Sequence, residues 1–269
     1  MPAMVDKTET LNAILQRHAP LLIAYSGGVD SAFLLAAAHR ALGERAVGAI
    51  ADSPSLPRQA LADALALAES IGARVEVVRT EELANADYAS NPLNRCYFCK
   101  SELFNRLDQM AGERGFAAIA YGENADDARQ VRPGLRAAQE FQIIAPLKEA
   151  GLTKAEIRAL SQELNLPTAD APAQPCLSSR IPHGTPVSVA ALGMIEAGEA
   201  FVRAMGFRVF RVRHHVDGSA AAPRARVQIA PAEMAARLTG REDELRAGLR
   251  AVGYGAVEID PEGYRSALG

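Results

Sequence analysis

An α/β fold, a Rossmann-like parallel sheet with helices on both faces followed by a small α+β unit, is predicted by three observations. Short apolar runs alternate with segments of helical periodicity through the first half of the chain. A glycine-rich turn, Ser26-Gly27-Gly28-Val29-Asp30-Ser31, stands between the first such run and the first such helix. Strands joined through helices close into one sheet as parallel neighbours, with right-handed crossovers.

Leu21-Leu22-Ile23-Ala24-Tyr25 reads as a buried strand and residues 32–42 as a helix. Ala46-Val47-Gly48-Ala49-Ile50 is a second strand, and Leu61, Leu65, Ala68 and Ile71 recur at helical spacing until Gly72 stops them. Residues 74–78 make a third strand, 98–111 a helix and 116–121 a fourth strand. The stretch 122–134, with Asn124, Asp126, Asp127 and Arg132-Pro133-Gly134, reads as a long loop. Thr153-Lys154-Ala155-Glu156 is a capping box that opens a helix to Leu164. Five prolines from Pro167 to Pro186 then resist regular structure. The remainder reads as helix, strand, strand, helix, helix, strand, with strands at 207–213 and 224–229 joined by Val216-Asp217-Gly218-Ser219. The expected division is a nucleotide-binding domain over 1–185 that carries the cysteines and a substrate-phosphate-binding and oligomerisation domain over 186–269.

The 269 residues are 49% hydrophobic, enough for a real core, so global disorder is excluded. A net charge of −3 argues against a protein that coats a nucleic-acid backbone. No apolar run approaches the roughly 18–20 residues that cross a bilayer, and the charged, amphipathic N-terminal segment is unlike a signal peptide. The expected location is the cytoplasm, with no nucleic-acid or membrane partner. Three cysteines, an odd number, argue against a secreted disulfide framework, and Cys96-Tyr97-Phe98-Cys99 has a spacing used for metal or redox chemistry.

The turn at 26–31 has a physical use. Amide N–H groups at a helix N-terminus carry the positive end of the dipole and make an anion site. Two glycines let the backbone approach oxygen atoms closely, and Ser26 and Ser31 add hydroxyl donors. A tight turn in which Asp30 and Ser31 merely cap the helix is the alternative. S-G-G-V-D-S resembles the signature of the PP-loop ATP pyrophosphatase family, whose members split ATP between its α and β phosphates and form an adenylate. The resemblance implies ATP bound by Ser26, Gly27, Gly28, Val29, Asp30 and Ser31, with Asp30 helping to hold Mg²⁺. It also implies Asp52, Ser53, Gly122 and Asn124 near the nucleotide.

Asn94-Arg95-Cys96-Tyr97-Phe98-Cys99-Lys100, Arg132-Pro133-Gly134, Ala145-Pro146-Leu147-Lys148, Cys176-Leu177-Ser178-Ser179-Arg180-Ile181-Pro182 and Arg211-Val212-Arg213-His214-His215 follow in order. Together they resemble the LarE family, the ATP-dependent sulfur transferases of nickel-pincer nucleotide cofactor synthesis. That resemblance implies adenylation of the carboxylates of pyridinium-3,5-biscarboxylic acid mononucleotide and their conversion to thiocarboxylates. It also implies a homo-oligomer and handover of the product to a nickel-inserting enzyme.

Cys176 stands at the position of the cysteine that surrenders its sulfur in some members and becomes dehydroalanine. With Cys96 and Cys99 it supplies three thiolates, a set that suits a [4Fe-4S] cluster with one open iron. A sacrificial Cys176, an inert Cys96/Cys99 pair, and zinc with His183 as fourth ligand are the other readings. Lys100 is expected to meet a phosphate or to stand as a solvated lysine at a helix start, and Arg180 to clamp a carboxylate or phosphate or to form a surface ion pair. Glu199 is expected near the substrate. Arg211 and Arg213, two apart on a strand, leave one face and suit bidentate capture of a nucleotide phosphate. Six arginines against one acid, Asp217, between Phe201 and Arg226 fit an anionic ligand. Tyr121-Gly122-Glu123-Asn124 and Arg226-Val227-Gln228 depart from the family patterns D-G-[ST]-N and A-R-I-E. The rival functions are another PP-loop sulfur transferase, such as a tRNA-thiolating enzyme, and a non-catalytic nucleotide-binding redox sensor.

Overall fold

The computed structural model describes residues 4–129, 133–172, 174–216, 218 and 222–264. Arg132, Asp217 and Ser219 lie outside the described residues. The chain divides into two compact units, Met1–Glu82 with Asn94–Gln174, and Leu83–Leu93 with Pro175–Gly269.

In the first unit α1 (Met4–Arg17) leads into β1 (Leu21–Ala24), α2 (Val29–Leu42), β2 (Ala46–Asp52), α3 (Arg58–Ile71) and β3 (Val75–Arg79). The short α4 (Ala86–Ala89) belongs to the second unit, and the chain then returns for α5 (Arg95–Arg114) and β4 (Ala118–Tyr121). A 3-10 turn at Ala125–Arg129, α6 (Pro133–Glu140), α7 (Pro146–Glu149) and α8 (Lys154–Glu163) complete the unit. The strands lie in the order β3-β2-β1-β4, all parallel. The predicted α/β fold is observed.

Successive strand residues point to opposite faces, and both faces are covered. Leu21 and Ile23 pack with Leu34, Leu35 and Ile157 in one core cluster. Leu22, Val47 and Val78 pack with Phe104 and Leu107 in the other. Two expectations shift. The fifth helix begins at Arg95 rather than Phe98, so both of its cysteines lie inside its first two turns. The segment expected as a loop over 122–134 holds a 3-10 turn and the start of α6.

The second unit continues with α9 (Val189–Ala204), β5 (Phe210–His215), β6 (Arg224–Ile229), α10 (Pro231–Glu233), α11 (Glu242–Val252) and β7 (Ala256–Ile259). β5 and β6 are antiparallel, and β6 and β7 parallel. One sheet face is apolar, with Phe210, Val212, Val227 and Ile229 packed on Val202, Leu245 and Leu249. The other carries the arginines. Segment 83–93 is anchored locally: Tyr88 Oη lies 2.8 Å from Ser178 Oγ. Asn91 Nδ2 donates to the carbonyls of Pro182 and Thr185, both at 2.8 Å. Among the described residues no helix is long and apolar enough to cross a membrane.

Candidate active site

In the first unit the candidate site lies at the carboxyl ends of β1 and β4. β2 and β3 extend the sheet to one side of β1 and β4 to the other, and ligands of open parallel sheets settle where the order reverses in this way. Gly27 has φ +73°, and a Cβ there would stand 2.7 Å from Ala64 Cβ, so the turn requires glycine. Gly28 is the N-cap of α2 and no side chain caps that end. The first amides of α2 are thus not capped by the N-cap residue, and amides in that position can meet an anion. Ser26 Oγ and Ser31 Oγ are 3.0 Å apart, and Ser31 Oγ donates to the Gly28 carbonyl at 3.1 Å.

Gly122, just past β4, packs against the same turn. A Cβ on it would lie 2.8 Å from Ser31 N and 2.9 Å from the Asp30 carbonyl carbon. Asn124 Oδ1 accepts from the amides of Asp126 (2.9 Å) and Asp127 (3.3 Å), which folds the loop on itself. Its Nδ2 is 3.5 Å from Asp30 Oδ2. Asp30 Oδ2 also receives Lys154 Nζ at 2.8 Å, while Asp30 Oδ1 is buried with no hydrogen-bond partner. A buried carboxylate oxygen left in that state is the donor a hard cation such as Mg²⁺ takes. Asp52, at the end of β2, is paired with Arg58, whose Nη2 donates to the Ser53 carbonyl at 2.6 Å. Ser53 Oγ accepts from Ser55 N at 3.1 Å.

Cys96 is exposed and Cys99 half-buried. Lys100 follows them, with Nζ 5.2 Å from the centre of the Tyr121 ring. Burial pushes its ammonium below the usual lysine range, against the opposing pull of Cys96, Glu123, Cys99 and Asp127. Glu123 is itself buried and holds Lys148 Nζ at 2.8 Å. Among the described residues no three His, Cys, Asp or Glu side chains form a group that could hold a metal ion.

In the second unit Cys176 is half-buried at the N-cap of the 3-10 turn Leu177–Arg180. Its carbonyl takes three donors: Ser179 N at 3.0 Å, Ser179 Oγ at 2.7 Å and Arg180 Nη1 at 3.0 Å. Of the two expectations for Arg180, a ligand clamp or a surface ion pair, an ion pair is present, but it is buried. Nε and Nη2 meet the two oxygens of Glu199 at 2.9 and 3.0 Å, and Nη1 also donates to the Pro175 carbonyl at 2.6 Å. Glu199 Oε1 further accepts Val212 N at 3.2 Å. Arg180 and Glu199 thus hold the Cys176 turn, α9 and β5 together.

Arg211 and Arg213 do share the polar face of β5. Arg213 Nη1 donates to the Ser179 carbonyl and its Nε to Gln228 Oε1, both at 2.9 Å. The Arg211 guanidinium lies 4.7 Å from the Tyr264 ring centre. Burial, and then the charge of Arg180, push both guanidinium groups below their usual range. Both are half-buried cations on the same face of β5. Across the strand pair Arg226 stands opposite Arg213 and is neutralised by Asp260 at 3.0 Å. Sequence reasoning missed Lys154, Arg58, Gln228, Asp260 and Tyr264. Only Lys154 carried a signal, as a cation in the first turn of a capped helix, where the dipole disfavours it.

No protein-family model matches the chain. It is 41% identical over 262 residues to an uncharacterized protein of Synechocystis sp., covering 97% of this chain and 96% of that one. It is 32% identical over 267 residues to the pyridinium-3,5-bisthiocarboxylic acid mononucleotide synthase of Lactiplantibacillus plantarum, covering 99% and 94%. An uncharacterized protein of Methanocaldococcus jannaschii is 27% identical over 250 residues, covering 93% and 92%.

Proposed function

The chain belongs to the LarE family of pyridinium-3,5-bisthiocarboxylic acid mononucleotide synthases, and from that membership we propose that it is an ATP-dependent sulfur transferase acting on the corresponding dicarboxylated nucleotide. The observation that supports ATP use most directly is the uncapped N-terminus of α2 beside Asp30, whose Oδ1 is buried and unpartnered. The α2 amides and the Ser26 and Ser31 hydroxyls would bind the β- and γ-phosphates. Asp30 Oδ1 fits Mg²⁺, which when bound neutralises phosphate charge. Gly122 and Asn124 keep the far wall close, and Asp52 and Ser53 would face the adenosine.

A substrate carboxylate oxygen attacks the α-phosphorus, the bond to the bridging oxygen breaks, and pyrophosphate leaves with that electron pair. Arg211 and Arg213 would hold the nucleotide phosphate of the substrate. Arg180 and Glu199 act as positioning residues that fix the Cys176 turn. Lys100, whose ammonium burial holds below the usual lysine range, would meet the phosphates.

For the sulfur, we propose delivery through the three thiolates Cys96, Cys99 and Cys176, a soft donor set that suits a [4Fe-4S] cluster. Among the described residues no metal-holding group of His, Cys, Asp or Glu is formed. A second reading is favoured by the three donors that fix the Cys176 carbonyl. In it the Cys176 thiolate attacks the adenylated carbonyl carbon, AMP departs, and loss of the Cα proton breaks the Cβ–S bond. The thiocarboxylate leaves and dehydroalanine remains.

Pyrophosphate release from purified protein with ATP, Mg²⁺ and the dicarboxylated nucleotide tests the enzyme; none released overturns it. Mass spectrometry after turnover separates the sulfur sources. An intact Cys176 with iron and sulfide bound supports the cluster, and loss of H₂S from that residue supports sacrifice. A tRNA-thiolating enzyme would instead release pyrophosphate with tRNA. The product is expected to pass to a nickel-inserting step, and the protein to work as a homo-oligomer.

A further inference from the structure

We propose that Lys154 is a pyrophosphate-binding residue, held in reserve on Asp30 until a metal–triphosphate arrives. The inference rests on the ATP-dependent reading and deepens it. Lys154 occupies the first position of α8, where a cation opposes the helix dipole, so local helix stability does not account for it. Its backbone is rigidly placed. Lys154 N donates to Asp126 Oδ2 at 2.8 Å, and the preceding Thr153 is locked to Glu156 in a reciprocal capping box. The side chain then spans to the first turn of α2, 124 residues away in sequence, and Nζ meets Asp30 Oδ2 at 2.8 Å. The ammonium end is not sealed in, since the Lys154 side chain keeps 38% of its exposure.

Asp30 is half-committed. One oxygen serves Lys154 and Asn124, and the other is buried with no partner. A divalent cation at that carboxylate would place two positive charges on one group, which like-charge repulsion opposes. The same cation brings a polyphosphate whose negative charge exceeds its own. Lys154 therefore has a reason to leave Asp30 and a destination within reach of a flexible four-carbon stem. The site would bind the β- and γ-phosphates, as released pyrophosphate or as part of ATP. AMP, which lacks them, would not use Lys154.

Calorimetric titration of the full chain with Mg-ATP, magnesium pyrophosphate and AMP tests this in wild type, Lys154→Met and Lys154→Arg. Methionine keeps the stem and removes the charge. Lys154→Met is expected to weaken Mg-ATP and pyrophosphate about tenfold or more, as for loss of a charge-assisted contact, and to leave AMP within about twofold. Lys154→Arg should regain most of the loss, and it serves as the reference should the methionine variant fail to fold. Unchanged pyrophosphate binding in Lys154→Met, or an equal loss for AMP, overturns the assignment while ATP use stands. If wild type binds neither ATP nor pyrophosphate, the ATP-dependent reading itself fails and the role of Lys154 falls with it.

Discussion

Arg180 and Glu199 meet fork to fork, at 2.9 and 3.0 Å, with only 4% and 7% of their side chains exposed. The geometry is bidentate and desolvated, so removing either partner strands a buried charge. Glu199→Ala should lower unfolding stability by about 3–5 kcal/mol in urea titrations. Arg180→Lys keeps the charge but has a single ammonium where three guanidinium nitrogens now serve Glu199 and the carbonyls of Pro175 and Cys176. It should fold with reduced stability and lose sulfur transfer more than pyrophosphate release, which separate assays of the two products would show.

Gly122 approaches α2 too closely for any side chain. A methyl there would sit 2.8 Å from Ser31 N, and backbone atoms cannot give way as a flexible side chain can. Gly122→Ala should cost about 1–3 kcal/mol and shift the phosphate-facing turn. Gly112, within α5, has nothing within 4 Å of its would-be Cβ. Gly112→Ala should therefore be neutral or stabilising by up to about 1 kcal/mol. Paired thermal melts and ATP isotherms check both.

Periodicity made most of the sheet legible, because buried parallel strands read as short apolar runs and glycines such as Gly72 end the helices between them. Residue order alone could not separate Phe207 from a strand residue: it is buried, but it precedes β5, which starts at Phe210. Pro133 looked like a loop signal, yet proline is at home in the first position of a helix, and α6 begins there. The phosphate turn was legible because its chemistry is local. The partners of its charges were not: Asp30 meets Lys154 across 124 residues, and Arg180 meets Glu199 only because the Cys176 turn packs on α9. Such pairs are set by tertiary approach and leave no spacing in the sequence.

Glu156 ties α8 to α1. Its carboxylate accepts Lys7 Nζ at 2.7 and 2.8 Å and closes the capping box with Thr153. The Lys7 contact first, and then the Thr153 amide, hold its pKa down to about 2 from 4.5. A carboxyl depressed in the folded state stabilises fully above its unfolded pKa. That contribution fades as pH falls from about 4.5 towards about 2. Glu156→Gln should thus be less stable than wild type at neutral pH, by no more than about 2 kcal/mol given partial solvent screening. In urea titrations the gap should hold from about pH 7 to about pH 5 and narrow below about pH 4.5.

Arg211 and Arg213 carry the prediction that bears most directly on substrate. Both are half-buried, and burial and then the charge of Arg180 hold both guanidinium groups below their usual range. Arg213 is also held at 2.9 Å by Gln228 and by the Ser179 carbonyl, which links any ligand on this face to the turn after Cys176. Arg213→Met should therefore weaken the dicarboxylated nucleotide, about tenfold to a hundredfold for a lost charged contact, and also disturb that turn. Arg211→Met, whose guanidinium rests on Tyr264, should weaken the nucleotide with less effect on the turn. The phosphate-free nucleoside distinguishes phosphate capture from a general loss of fit. Wild type should bind it at least as poorly as Arg211→Met binds the nucleotide, and the substitution should cost nothing further against it. A nucleoside that binds wild type as tightly as the nucleotide would remove the phosphate from this face.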